Sequence, residues 1–436
     1  MSAPDDTGRA AGDAKGVSRR GMLLGGAAAA GGLVVGAAGG VGGAYAAGLR
    51  GSDASAAGGA DDNGDAVDLT VQHAFYGEAE QAGIRTPPQR YSVYMTFTMS
   101  SPLARDLQVL LARWSGAIAQ LMKGKTIGQV EPNRVDGIGV DTGEALDLAP
   151  AGLTVTVGLG PGLFTDAYGL ADKKPTLMRE LKALPSDAFQ PGLTGGDLSL
   201  QACADDPQVA YHAIRDLARM AKGTAATNWT VMGFGRASAG KGQSTPRNLM
   251  GYKDGTRNIT EDADFEKFVF VKDSGPAWTQ GGSYQVVRKI QMHIENWDAD
   301  RVSDQNTVFG RDKRAGAPLS GGTEFTTPDF HAKGAGGAEK ISPTSHIALA
   351  AHENNGGVKI LRRGYNYTDG LNQYGLLDAG LLFISYQNDP AHFETLQAKL
   401  GSSDRLNEYI SHIGSGIFFV PPAAKQGHYL AEGLFA

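Results

Sequence analysis

From Tyr91 to Met99 the odd positions are apolar and the even ones mostly polar. That period of two predicts a half-buried strand. Over 101–124, Leu107, Leu110, Leu111 and Trp114 recur at helical spacing and predict a helix. Strict alternation returns over 153–159 and is stopped by Gly160-Pro161-Gly162, with a short helix expected at 163–168. The 205–221 segment reads as a helix, capped by Asp205 or Asp206 with Pro207 in its first turn. Residues 228–234 read as a strand. A similar order then recurs: strands at 284–294, 358–361 and 381–386, a helix at 390–400, and a last strand at 416–420 before Pro421-Pro422. Short strands with few helices between them predict an α+β fold of two halves, each an antiparallel sheet with helices on one face. The Gly/Ser/Pro-rich stretch near 236–247 divides them. No short-period repeat occurs, which excludes a solenoid.

Composition narrows the choices. The chain has 436 residues, 41% of them hydrophobic, enough for two or three packed domains. A net charge of −6 offers no nucleic-acid surface. Cys203 is the sole cysteine, so intramolecular disulfides and cysteine-based metal clusters are excluded. Ser18-Arg19-Arg20-Gly21-Met22-Leu23 leads into an Ala/Gly-rich apolar segment that ends at Ala44-Tyr45-Ala46. This pattern predicts a twin-arginine export signal over 1–46, with cleavage near Ala47. A membrane anchor is the competing reading, weakened by the many glycines and alanines. Export by that machinery would place the protein at the cell surface, in the periplasm or outside the cell. The route carries folded proteins, often with a cofactor inserted. Residues 47–66 read as a flexible acidic linker. The expected domains are 67–240 and 241–436.

Three places suggest chemistry. Asp254 sits in Gly251-Tyr252-Lys253-Asp254-Gly255, where a surface turn is the plain alternative. His346 lies in a small, apolar stretch, where a core histidine is commoner than a ligand. Arg362 and Arg363 directly follow an apolar strand; if buried, they need a partner or an anion. Together they form a set: a histidine can hold a haem iron, an acid can move a proton of peroxide, and an arginine can stabilise charge as the O–O bond breaks. Glycines at 251 and 255 would let the backbone approach a flat macrocycle closely.

In that order these segments resemble the dye-decolourising (DyP-type) haem peroxidases, in the exported subgroup similar to the deferrochelatase/peroxidase of bacterial iron uptake. The resemblance runs from about residue 85 to the C-terminus and is carried by GYKDGT at 251–256, LTVTVGLGPGLF at 153–164, GSYQVVRKI at 282–290, SHI at 345–347, LRRGY at 361–365, GLLFISYQ at 380–387 and IGSGIFFVP at 413–421. It implies two ferredoxin-like domains in a barrel-like arrangement, with haem b held mainly by the second. It implies His346 as axial iron ligand, Asp254 as acid–base group and Arg362, rather than Arg363, as charge stabiliser. Gly255, Thr256 and Arg257 are expected near the macrocycle edge and Phe383 in the pocket. Glu408 is the candidate carboxylate behind His346. The implied reaction reduces hydrogen peroxide through a ferryl intermediate, with dyes or phenols as one-electron donors. Release of iron from haem, or non-catalytic haem binding, are the alternatives. Trp278, Trp297 and Tyr374 are candidate electron relays, burial being the commoner role. Similar sequences carry Arg two residues after the histidine and Asn-Pro soon after; Ala348 and Ala351-His352-Glu353 stand here. That leaves Arg257 or His352 as the propionate partners, with His352 also a rival axial ligand. A monomer or a homodimer is expected.

Overall fold

The computed structural model describes residues 67–235, 245–272 and 275–436. The twin-arginine segment, the 47–66 linker and most of the expected domain boundary lie outside the described residues.

Along the chain run β1 (Tyr91–Met99), α1 (Ala104–Leu121), β2 (Thr154–Leu159), β3 (Leu198–Ala204), α2 (Pro207–Ala221) and β4 (Ala225–Phe234). There follow α3 (Asp262–Phe268), β5 (Ser283–Met292), α4 (Ile294–Asp298), α5 (Val302–Phe309), α6 (His346–Ala350), β6 (Leu361–Arg362), β7 (Tyr365–Leu371), β8 (Leu377–Gln387), α7 (Pro390–Ser403) and β9 (Ile410–Val420). Sequence and structure agree where the local chemistry is strong. Asp206 caps α2 by accepting from the amides of Gln208 and Val209, and Pro207 needs no partner for its absent N–H. Asp389 and Pro390 open α7 in the same way. Two short 3₁₀ turns, Pro161–Leu163 and Asp166–Tyr168, replace the helix expected at 163–168. The strand expected at 358–361 begins only at Leu361.

The strand order explains the two halves. The first sheet runs β2-β3-β1-β4 and the second β9-β5-β8-β7, the same ferredoxin-like order twice, with every pairing antiparallel. Neither sheet leaves its edges bare. Gly233 and Phe234 of β4 pair with Tyr367 and Asn366 of β7, and Leu159 of β2 pairs with Phe419 of β9. The two sheets therefore close into one barrel. Closure removes the open edges that an isolated sheet must otherwise protect.

Helices α1 and α2 cover the outside of the first sheet with Leu107, Leu110, Trp114, Val209, Ile214 and Leu217, all buried. The barrel interior is largely polar. Tyr94 donates to Gln285 at 2.9 Å, Gln285 donates to Tyr386 at 2.8 Å, and Tyr386 donates to Gln201 at 2.6 Å. The Tyr94–Gln285 and Tyr386–Gln201 bonds join strands that are not neighbours, so they cross the lumen, while Gln285 and Tyr386 face each other across the β5–β8 pair. These four side chains are tolerated in the interior because each has a hydrogen-bond partner. Arg363 belongs to this interior, fully enclosed, donating to the Thr86 carbonyl and to Gln89 Oε1.

Candidate active site

Between the second sheet and α5–α7 lies a cavity lined by Asp254, Gly255, Thr256, Arg257, His346, Arg362 and Phe383, all seven anticipated from sequence. Four further cationic residues line it: Lys253, Arg288, Arg311 and Lys359.

The 246–258 segment is built to hold Asp254 still. Its amide donates to the Pro246 carbonyl at 2.8 Å. Arg247 donates to the carbonyls of Gly251 and Lys313, both at 2.7 Å. Aromatic packing fixes the other side: Tyr252 stacks on Phe309 with centroids 4.0 Å apart, and Trp297 Nε1 donates to Met250 O at 3.0 Å. The backbone also requires glycine at both positions. Gly251 and Gly255 have φ of +86° and +131°, conformations that L side chains rarely adopt. A Cβ on Gly251 would meet the Lys313 stem, not the cavity.

Arg362 leaves β6 pointing at this turn. Its Nη2 donates to Thr256 O at 2.9 Å and its Nη1 lies 3.4 Å from Asp254 Oδ1. Asn258 holds the backbone beneath it from both sides: its Oδ1 accepts from the Arg362 amide at 2.9 Å, and its Nδ2 donates to the Arg362 carbonyl at 2.7 Å. Acid and arginine are thus registered through the backbone, not only through their own weak contact. Both side chains keep about 30% exposure toward the cavity.

His346 begins α6. Its Nδ1 lies 2.7 Å from Asp404 Oδ2, and the ring is edge-on to Phe309. The partner is Asp404 and not Glu408, which corrects the sequence expectation. Asp404 caps the turn Arg405–Glu408 through Oδ1, accepting from the Leu406 amide at 2.9 Å, and turns Oδ2 to the histidine. Glu408 closes that turn one step too far on. Burial disfavours charge on His346, but the Asp404 carboxylate beside it outweighs this and raises its pKa, with Asp254 adding and Arg362 opposing. The charges of Asp254 and Arg362 therefore reach the ring through one shared cavity. With Nδ1 engaged, Nε2 is the nitrogen left for a metal. Asp404→Asn should weaken this hold. A haemin titration is expected to show affinity lower by about 10–100-fold, with the fold intact by circular dichroism.

The remaining residues sort themselves. Arg257, strained at φ +61°, forms an ion pair with Glu353 and lies 2.9 Å from His352 Nε2. His352 is thereby engaged at the cavity wall and is not the histidine backed by a buried carboxylate. Thr256 donates to Glu324 Oε1 at 3.0 Å, and Lys253 pairs with the same carboxylate. Burial works to raise the Glu324 pKa, but Lys253, Thr245 and Thr256 outweigh it and hold it low. A depressed folded pKa contributes stability above the unfolded value, lost as pH falls through the folded one. Glu324→Gln should cost about 1–3 kcal/mol near neutrality and flatten the acid limb of the stability curve, read from denaturant melts at several pH values. Of the relay candidates, Trp297 is fully buried, Trp278 half-buried, and Tyr374 exposed on the β7–β8 hairpin.

Sequence reasoning missed Arg288, Arg311 and His412. Arg288 is wholly buried with Nη1 on Asp187 at 2.6 Å, yet its Nε and Nη2, and His412 Nδ1, have no hydrogen-bond partner among the described residues. Burial first, then Arg288, pulls the His412 pKa down to about 3. Burial, then Arg257, pulls Arg311 down to about 10, with Arg362 adding to the effect and Glu324 opposing it. A cavity with apolar walls (Ile290, Phe309, Leu381, Phe383, Leu396, Ile410) and several cations demands a ligand that is flat or bulky, apolar and anionic. Haem b would fit that set, its iron held through His346, its apolar macrocycle against these walls and its two propionates met by the cations.

Comparison with known proteins agrees. Residues 81–235 match the family model "Dyp-type peroxidase, N-terminal" and 245–425 match "Dyp-type peroxidase, C-terminal". A deferrochelatase of Yersinia pestis is 37% identical over 99% of this chain and 96% of its own. One from Escherichia coli O157:H7 is 37% identical over 83% and 86%. Among solved structures, an oxyferrous/water mixed complex of DtpA from Streptomyces lividans superposes with a TM-score of 0.79 at 38% identity, covering 84% of this chain and 99% of that one. A DyP-type peroxidase from Cellulomonas bogoriensis gives 0.75 at 34% identity, over 84% and 98%. With both family models matched across the barrel and relatives aligned along nearly the whole chain, this protein belongs to the DyP-type haem peroxidases.

Proposed function

We propose that the chain reduces hydrogen peroxide at the Asp254–Arg362 pair, beside haem b held through His346, and takes electrons from dyes, phenols or similar donors. One observation carries this reading. An acid and an arginine, registered by Asn258, line the same cavity as a histidine backed by Asp404. Haem, when bound, supplies an iron that binds peroxide and stores oxidising equivalents. The protein supplies the rest. Asp254 accepts the proton of the near peroxide oxygen and returns it to the far one, which leaves as water. Arg362 sets positive charge where negative charge grows as the O–O bond breaks. Two electrons and two protons complete the conversion of one peroxide to two waters. A second cavity, lined by Arg85–Pro88, Asn258 and Tyr365, also reaches Asp254 and Arg362 and offers a path for small molecules. Arg257, Arg288 and Arg311 are the propionate candidates. Arg19-Arg20 supports export by the twin-arginine machinery, with the protein working outside the cytoplasm.

The test is an absorption spectrum of the haem-loaded protein before and after one equivalent of peroxide. A Soret band that shifts within seconds supports the reading; a band that does not respond rejects it. The curated relatives' name, deferrochelatase, favours one second reading: the same pocket removing iron from haem. Iron-free porphyrin, read by its fluorescence, would support that activity.

A further inference from the structure

Outside the haem cavity, three buried side chains point at one another. His212 and Asp216 stand one turn apart on α2, and Asp141 comes from the long connection between α1 and β2. Their nearest ligand atoms all lie within 4.8 Å of one another, and the two carboxylate side chains are completely enclosed. From these residues we infer a divalent transition-metal site, of the kind that zinc fills, held by Asp141, His212 and Asp216.

His212 Nε2 lies 3.6 Å from Asp141 Oδ2 and 3.6 Å from Asp216 Oδ2. Those separations are too long for hydrogen bonds. They suit two donors sharing one ion: ligands about 2.1 Å from zinc sit roughly 3.4 Å apart on a tetrahedron. Asp216 Oδ2, fully buried, has no hydrogen-bond partner among the described residues. An unpaired carboxylate oxygen in the protein interior is costly unless something positive meets it.

The surrounding atoms are arranged as an outer shell. Asp141 Oδ1 accepts from the Gly143 amide at 2.8 Å and Oδ2 from Ile127 at 2.9 Å. Asp216 Oδ1 accepts from the Thr142 amide at 3.2 Å, with Arg219 at 3.5 Å. The other ring nitrogen of His212 faces Glu144 Oε2 at 3.2 Å and Thr142 Oγ1 at 3.4 Å. A carboxylate behind a histidine is the usual support of a metal-bound imidazole. Glu144 in turn meets Arg215 at 3.3 Å. One imidazole and two carboxylates in an enclosed space favour zinc or manganese over calcium, which asks for six or more oxygens. The ion would clip the α1–β2 connection to α2.

The experiment uses the haem-loaded protein, dialysed against chelator and then given Zn²⁺. Elemental analysis after desalting should find about one zinc per chain, and the thermal midpoint should rise by roughly 3 °C. Asp216→Asn and Asp141→Asn should each lose both effects while keeping peroxide activity, since none of these residues touches the haem cavity. Asp216→Asn is the safer variant, because the altered oxygen has no partner to lose. Calcium in place of zinc should leave the midpoint unmoved. Three results would overturn the assignment: no zinc retained by the unaltered protein, zinc retained in both variants, or calcium binding where zinc does not.

Discussion

Asp254→Asn should slow the reaction with peroxide by about 10²–10⁴-fold while leaving haem content and the resting Soret band unchanged. The substitution is nearly isosteric. The amide side chain would keep an oxygen for Arg362 Nη1, and the backbone bond to Pro246 is untouched. What it removes is the ability to take a proton and give it back. Among the described residues, the other carboxylate on the cavity wall, Asp404, is spent on His346, and Glu324 behind the wall is spent on Lys253 and Thr256. Rapid mixing of the variant with peroxide measures the effect. If its rate matched the parent's, the proton would travel by another path and Asp254 would be a turn residue and nothing more.

Arg362→Leu should lower the peroxide rate by about 10²–10³-fold, with Arg362→Lys recovering only part of it. The guanidinium does two jobs that one ammonium cannot. Nη2 holds the Thr256 carbonyl while Nη1 faces Asp254. Lysine restores the charge but not the fork. Stability should fall little, by about 1 kcal/mol, because the side chain is part-exposed and its ion pair is long. Asn258 continues to hold the strand below. The decisive comparison sets peroxide kinetics of the two variants side by side. Equal rates for Leu and Lys would assign the loss to the fork, and full rescue by Lys would assign it to charge alone.

The strands with clean alternation and the helices opened by Asp-Pro were legible from residues alone, because side-chain period and capping act locally. β3 was not, since Ala202 and Ala204 are small and weakly signal a face, and β7 reads as polar because half of it faces solvent. Asp254, His346 and Arg362 could be proposed because their residue types suit one reaction. Sequence could not rank Asp404 over Glu408: the two lie one helical turn apart, and only the capping geometry shows which one turns back. Arg288 and Arg311 gave no signal at all, because a strand arginine and a loop arginine look like surface until burial is known. The glycines of the turn were legible as necessary, but that their backbone angles demand glycine shows only in the structure.

The barrel seams bear on the order of assembly. β2 finds its second neighbour only in β9, and β9 also supplies Ile410 and His412 to the cavity wall. β5 likewise waits for β8 and β9 on its two sides. Contacts of such large sequence separation form late and slowly. A nascent chain released short of β9 would have an open ring and an unfinished pocket. The prosthetic group can therefore be enclosed only after β9 has been made, in whichever compartment the barrel first closes.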